Sequence, residues 1–124
     1  MSQSLPSLEH QELIAPLYQK FSQELGNSQY SGEINCQYSA RLAVATDNSI
    51  YQQLPQLVLH PRSKQDVQLI SQLSSTPKYQ SIKFSARGGG TGTNGQSLTP
   101  GIVVDLSKYM NRILEINIEE NWIR

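Results

Sequence analysis

Apolar residues near the start of the chain recur at helical spacing. The repeat falls every four positions, at Leu13, Leu17, Phe21 and Leu25. This spacing places the four side chains on one face and predicts an amphipathic helix. Proline is tolerated in the first turn of a helix, so Pro16 favours a start near Ala15, and Gly26-Asn27 provides the end. We expect this helix to pack on the outside of the domain.

Three shorter apolar runs predict β-strands. They are Leu57–Leu59, Ile82–Ala86 and Ile102–Leu106. Between the first two, Ser63-Lys64-Gln65-Asp66 has the spacing of a capping box and opens a helix with one apolar face, which ends before Pro77. Strand, helix and strand in this order predict a parallel, right-handed βαβ unit.

The remaining segments have weaker patterns. Residues 28–55 are polar and turn-rich, which predicts irregular structure or short helical turns. Residues 113–118 and 122–124 flank a polar turn and predict a hairpin. Because the chain stops inside the second of these strands, we expect it to be the N-terminal piece of a longer protein. The predicted fold class is α/β (α+β), with a small mixed sheet of about three parallel strands, a hairpin and flanking helices.

Composition narrows the possible functions. The chain has ten basic and ten acidic residues among its 124, and no concentrated basic face of the kind that nucleic acids or anionic membranes need. No apolar run is long enough for a transmembrane segment or a signal peptide. The single Cys36 excludes an internal disulfide, and His10 and His60 have no ligand-like spacing, so we expect no metal site and a cytoplasmic location.

Glycine is concentrated in one loop. Five of the eight glycines lie between Gly88 and Gly95, directly after the predicted strand that ends near Arg87. Consecutive glycines let the main chain adopt positive φ and approach a ligand closely, and successive N–H groups can then form a nest for an anion. The loop follows the carboxyl end of a parallel strand, where open α/β sheets bind ligands.

Two familiar nucleotide motifs do not account for this loop. Gly90-x-Gly92-x-x-Gly95 matches the Rossmann fingerprint, but only four residues separate Gly95 from Pro100-Gly101, which leaves no room for the helix that the fingerprint opens. The spacing from Gly90 to Ser97 matches a Walker A motif, but Gln96 stands where the lysine belongs. A stand-alone phosphate- or nucleotide-binding module without redox activity, and a connector that binds nothing, remain as alternatives.

Several ordered blocks resemble one flavoprotein superfamily. The Arg87-Gly-Gly-Gly-Thr-Gly92 loop, the Gly101–Ser107 block and Met110–Ile113 resemble the FAD-binding domain of the vanillyl-alcohol oxidase/PCMH superfamily. The blocks Thr46–Tyr51 and Leu57–Val67 are similar to its D-lactate and glycolate dehydrogenase branch, and to the bacterial FAD/iron–sulfur oxidoreductases of the D-2-hydroxyglutarate dehydrogenase type. The resemblance covers about residues 35 to 124, which is more specific than one loop.

The resemblance implies a fold, a cofactor and a site. Residues 35–124 would be the truncated N-terminal half of a PCMH-type FAD-binding domain, and residues 1–34 a helical extension. The implied FAD-binding residues are Pro61, Arg87, Gly88, Gly89, Gly90, Thr91, Gly92, Thr93, Gly95 and Ser97. Asp47 matches a family block, and its role is left open between the flavin and a helix cap.

The implied activity belongs to a longer protein. It is the FAD-dependent oxidation of small D-2-hydroxy acids, with an iron–sulfur cluster in a later module, and we expect the fragment alone to be inactive because half of a FAD site lacks the enclosing contacts. We also expect self-association through the truncated sheet edge.

Overall fold

The fold is described by a computed structural model of residues 13–124. The part of the predicted 1–34 extension that precedes Leu13 lies outside these residues. In chain order the elements are α1 (Pro16–Gly26), β1 (Glu33–Asn35), α2 (Tyr38–Ala43), β2 (Leu57–His60), α3 (Lys64–Ser74), a 3-10 turn (Pro77–Tyr79), β3 (Phe84–Arg87), β4 (Ile102–Asp105), β5 (Ile116–Asn117) and β6 (Trp122–Ile123). The three predicted parallel strands, both helices and the hairpin are therefore confirmed.

The central sheet has four strands in the order β1-β2-β4-β3. β2, β4 and β3 are parallel, whereas β1 pairs antiparallel with β2 at the edge. The predicted βαβ unit is parallel, but β4 lies between its two strands, so β2 and β3 are not neighbours. The carboxyl ends of all three parallel strands consequently share one edge of the sheet.

The edge strand β1 and the helix α2 lie in the segment for which the sequence predicts irregular structure or short helical turns, so the short helix fits that prediction and the strand does not. β1 is three residues long and half-buried, and its residues Glu33, Ile34 and Asn35 pair with β2. So short a strand has too few residues to show an alternating pattern. Its formation depends on hydrogen bonds to a neighbour that is distant in sequence, so the local sequence does not predict it.

Alternate side chains of the sheet enter two separate clusters. Leu57, Leu59, Ile102 and Val104 join residues of α1 and α3 in the larger cluster. Val58 and Val103 point to the opposite face, where they pack with Val44, the residue after α2. Both faces of β2 are thus buried, which explains its uninterrupted apolar sequence.

The first helix packs on this sheet through an aromatic contact. Phe21 is fully buried, with its ring centroid 5.1 Å from that of Tyr79 and 5.6 Å from that of Phe84. Leu25 is also fully buried, whereas Leu13 is exposed. The helix begins with Pro16 after Ala15 and is capped by Asn27, as its sequence predicted.

The predicted capping box at α3 is confirmed in a modified form. Ser63 Oγ accepts a hydrogen bond of 3.3 Å from the Asp66 N–H. The Asp66 carboxylate accepts from the N–H of Arg62 instead of that of Ser63, and from the N–H of Ser31, each at 2.8 Å. Asp66 is almost fully buried, so this carboxylate joins the segment after α1 to the start of α3.

The C-terminal hairpin forms a separate two-stranded sheet. β5 and β6 are antiparallel, with Ile116 opposite Ile123. The main-chain groups of Glu115 and Arg124 exchange hydrogen bonds of 2.8 and 2.9 Å. Both isoleucines are more than half exposed, so the hairpin presents an apolar surface on the described part of the chain.

Candidate functional site

The glycine loop leaves the carboxyl end of β3 at Arg87 and reaches β4 at Ile102. No helix forms between Gly88 and Gly101. A turn closed by a 3.0 Å hydrogen bond from the Leu98 N–H to the Gly95 carbonyl occupies that place. This observation confirms the reason for rejecting the Rossmann interpretation, and it also counts against a Walker A motif, which likewise opens a helix.

Two positions of the loop require glycine because of their backbone conformation. Gly90 and Gly95 have φ values of 68° and 73°, in the left-handed region that L-residues seldom adopt. Gly92 is instead limited by space, because an added Cβ would lie 2.6 Å from Cδ of Gln96. Gly88 is open, with no atom within 4 Å of an added Cβ.

The first half of the loop has main-chain donors to offer. Within the described chain, the N–H groups from Gly88 to Thr93 donate no hydrogen bond to another protein group. Gly88, Gly89, Thr91 and Thr93 are also exposed. Successive N–H groups without acceptors, next to glycines, form the kind of concavity that binds phosphate oxygens.

Arg87 is half-buried and holds a neighbouring segment. Its Nη1 donates to the carbonyl oxygens of Thr46, at 2.9 Å, and of Val44, at 3.4 Å. Its guanidinium lies where a Cβ on Gly90 would overlap Nη2. The guanidinium therefore packs against the loop and joins it to the segment that follows α2.

Asp47 and Asn48 meet the loop from this neighbouring segment. The Asn48 N–H donates to the Gly92 carbonyl at 3.0 Å, and Asp47 Oδ1 accepts from the Ser49 N–H at 2.8 Å. The Ser49 side chain, more than the Ser49 N–H, keeps the pKa of Asp47 below its usual value, against the opposing effect of burial. The Gly95 N–H also favours the charged carboxylate, although no hydrogen bond of normal geometry joins these two groups.

The second half of the loop is closed by its own side chains. The Asn94 N–H donates to Gln96 Oε1 at 3.0 Å. Ser97 is buried, and its Oγ has no hydrogen-bond partner among residues 13–124. The predicted contribution of a Ser97 hydroxyl to a phosphate therefore depends on access that its burial restricts.

Pro61 lies apart from the other predicted site residues. It is fully buried at the carboxyl end of β2, and β4 separates that strand from β3. Two strand spacings therefore separate the carboxyl ends of β2 and β3, which corresponds to roughly 10 Å.

His60, the residue before Pro61, lies close to the end of β4. Its Nδ1 is 3.6 Å from Asp105 Oδ2. Burial lowers the pKa of His60 below its usual value, against the opposing effect of the Asp105 charge.

Only some of the residues that support the loop can be recognised from the sequence. The resemblance singles out Asp47 as part of a family block, but it predicts no contact between the loop and Asn48 or Gln96. The cluster Thr46-Asp47-Asn48-Ser49 carries the usual signal of a local turn. Nothing in its spacing indicates that this turn docks on a loop about 45 residues later, because α2 and β2 bring the two together only in the folded chain.

The chain belongs to a family of FAD-binding domains. The family, described as "FAD binding domain", matches residues 55–124. A solved structure of alkyldihydroxyacetonephosphate synthase superposes with a TM-score of 0.70 at 20% identity, over 87% of this chain and 24% of the synthase. At that identity the likeness shows the fold alone, and it confirms the predicted α/β class.

The chain is also similar in sequence to several dehydrogenases. It is 54% identical over 107 residues to D-2-hydroxyglutarate dehydrogenase of Pseudomonas putida and 48% identical over 120 residues to that of Escherichia coli. It is also 38% identical over 72 residues to the mitochondrial cytochrome-type D-lactate dehydrogenase of Kluyveromyces lactis. These matches cover 86%, 97% and 55% of this chain but only 11–12% of each relative.

Among residues 13–124, no helix has both the length and the apolar character needed to cross a membrane. The same part of the chain contains no group of three or more His, Cys, Asp or Glu side chains arranged to hold a metal ion.

Proposed function

We propose that the loop from Gly88 to Ser97 binds the diphosphate of FAD as part of an FAD-dependent D-2-hydroxy acid dehydrogenase. The observation that carries the proposal is the run of main-chain N–H groups from Gly88 to Thr93 that have no acceptor in the described chain. They lie at the carboxyl end of a parallel strand, where α/β sheets bind nucleotides. Family membership identifies the nucleotide as FAD.

The residues present fit a diphosphate. Gly88 and Gly89 leave the main chain uncovered, and the positive φ of Gly90 turns the chain there. Thr91 and Thr93 are exposed and can add hydroxyl donors. The chemistry that bound FAD would supply is that of a hydride acceptor for a substrate carbon carrying a hydroxyl group. The part proposed for this chain is to bind and orient the cofactor.

A chimera tests the proposal. The matching segment of the Pseudomonas putida D-2-hydroxyglutarate dehydrogenase would be replaced by this chain, and flavin absorbance and D-2-hydroxyglutarate oxidation would be measured. We expect the chimera to retain flavin and activity, because the two segments are 54% identical. A folded chimera without flavin would contradict the proposal.

The isolated chain provides the complementary test. Residues from Gly88 to Thr93 bind only one part of a large cofactor, so we expect no yellow flavin after purification and no dye reduction with D-2-hydroxy acids. Bound flavin or activity would show that the chain needs no other segment. Binding of ATP or NAD without any binding of FAD would favour a stand-alone nucleotide module.

We further propose a division of the chain, a location and a mode of self-association. Residues 35–124 would form the FAD-binding portion, residues 1–34 an extension, and the protein would be cytoplasmic, with any iron–sulfur cluster outside this chain. A second copy would cover the hairpin, whose Ile116, Ile118 and Ile123 are 59%, 83% and 67% exposed. Light scattering at rising concentration tests this, and a monomer throughout would contradict it.

A further inference from the structure

A cavity lined by cations lies beyond the carboxyl ends of β2 and β4, apart from the glycine loop that follows β3. Its volume is about 440 Å³, and Arg62, Lys64 and Arg112 are among its lining residues. We propose that this cavity is a second anion site, which takes a phosphate monoester whose phosphate group meets the three cations. The site goes beyond the proposed function, because no residue of the loop from Gly88 to Ser97 lines it.

The three cations have no charged partner at close range. Within residues 13–124, neither Arg62, Lys64 nor Arg112 forms an ion pair with a carboxylate. Like charges gathered around one cavity repel one another, and an anion that binds between them relieves this repulsion. A phosphate monoester carries close to two negative charges at neutral pH, so it suits this lining better than a monoanion does.

Two carboxylates of the surrounding elements leave the cavity positive. Asp66 is almost fully buried and accepts a hydrogen bond of 2.8 Å from the Arg62 N–H. Glu33 on β1 forms an ion pair with Lys108 at 2.8 Å, so these two charges cancel. The three positive charges of Arg62, Lys64 and Arg112 against the one negative charge of Asp66 leave an excess of two.

Tyr109 fixes Arg62 in the wall of the cavity. The guanidinium lies over the ring, with Cζ 3.9 Å from the ring centroid, and Arg62 Nε donates to the Ser31 carbonyl at 3.1 Å. The Tyr109 hydroxyl in turn donates to the Glu33 carboxylate. A guanidinium held in this way loses little conformational freedom when an anion binds, and its Nη groups have no acceptor in the described chain.

Apolar side chains complete the lining and indicate what the rest of the ligand is. Met110 and Leu114 line the same cavity, and both are exposed. A phosphate ion alone fills only a small part of this volume, whereas an organic group attached to the phosphate would cover the two side chains. Burial of their apolar surface would add to the affinity.

Nuclear magnetic resonance of the complete 124-residue chain tests the site with phenyl phosphate as the probe. We expect the Nε resonances of Arg62 and Arg112 and the amide resonances of Ser63 and Lys64 to shift on titration. Inorganic phosphate should bind about fivefold more weakly, because it lacks the apolar group. Benzoate, which keeps the ring but has a single charge, should bind about threefold more weakly than phenyl phosphate. Equal affinity for all three anions would overturn the proposal.

Charge variants test whether the three cations form the site. Lys64→Gln and Arg112→Gln should each weaken the binding of phenyl phosphate by about threefold, because each removes one positive charge at an exposed position. Lys83→Gln is the matched control. Lys83 is exposed, forms no ion pair within residues 13–124 and precedes β3 at the opposite edge of the sheet. Equal weakening by Lys64→Gln and Lys83→Gln would show an effect of net charge alone and would overturn the proposal.

Tyr109 is a positioning residue for Arg62, and two variants test this role. Tyr109→Leu should weaken phenyl phosphate binding by about threefold and broaden the Arg62 Nε resonance before any ligand is added, because the ring that holds the guanidinium is lost. Tyr109→Phe keeps the ring and should keep the affinity. Equal losses in the two variants would overturn the positioning role.

The location of the shifts separates this site from the glycine loop. Shifts confined to the amides of residues 88–97 would overturn the second site and leave the proposed function standing. Shifts at Arg62 and Arg112 would support the second site even if the loop amides did not respond, because the two sites share no residue. No response at Arg62 and Arg112 to any of the three anions would show that the cavity does not bind them and would overturn the proposal.

Discussion

Replacement of Gly90 by alanine should destabilise the chain through two separate effects. The φ of 68° is unfavourable for any residue with a Cβ, which costs about 1–2 kcal/mol. The new methyl group would also overlap Arg87 Nη2, so the guanidinium must leave the carbonyl groups of Val44 and Thr46. Hydrogen bonds to charged groups contribute about 1.5–3 kcal/mol, but water can replace part of this at a half-buried site.

We therefore expect Gly90→Ala to lower the free energy of unfolding by about 2–4 kcal/mol, which for a chain of this size corresponds to a Tm lower by roughly 10 °C. Gly88→Ala is the matched control. It lies two positions earlier, its φ is not positive, and an added Cβ meets nothing within 4 Å. Its effect on stability should stay within about 0.5 kcal/mol.

Urea denaturation followed by circular dichroism measures both variants against the wild type. Equal stability of Gly90→Ala and the wild type would refute the reasoning, since it would mean that neither the backbone conformation nor the contact of Arg87 with the loop is required. Equal losses for Gly88→Ala and Gly90→Ala would refute it as well, because the two positions differ in conformation and in the space around them.

Three further outcomes are expected. Phe21→Ala should cost about 3–5 kcal/mol in urea denaturation, because it leaves a cavity between Tyr79 and Phe84; a loss below about 1 kcal/mol would contradict the packing of α1. Burial opposes the charge of Asp66, but the N–H groups of Ser31 and Arg62 outweigh it, so its pKa is lowered. Its contribution is therefore complete above the unfolded pKa near 4 and is lost as pH falls through the lower folded pKa, a loss that an Asp66→Asn variant should not show in acid unfolding. Replacing the exposed Ile123 by lysine should reduce self-association in light scattering without changing the unfolding midpoint.

Local sequence determined the elements whose signals lie within one turn or one strand. Pro16 and Gly26-Asn27 bound α1, Ser63 caps α3, and the run Leu57–Leu59 forms a strand. The absence of a helix after the loop also followed from Pro100-Gly101 alone. These predictions are possible because capping, proline geometry and burial on both faces each require particular residue types at adjacent positions in the sequence.

Tertiary structure decided the order of the strands and the surroundings of the loop. The position of β4 between β2 and β3, and the edge strand β1, depend on hydrogen bonds between residues far apart in sequence. Arg87 is held by contacts of the same kind. From sequence it resembled a cofactor ligand, whereas its hydrogen-bond partners are the carbonyl groups of residues 44 and 46, which only the folded chain brings within reach. A single sequence contains the glycines of this loop, but the segment that holds Arg87 and the Gly92 carbonyl in place is about 45 residues away and reaches them only in the folded chain.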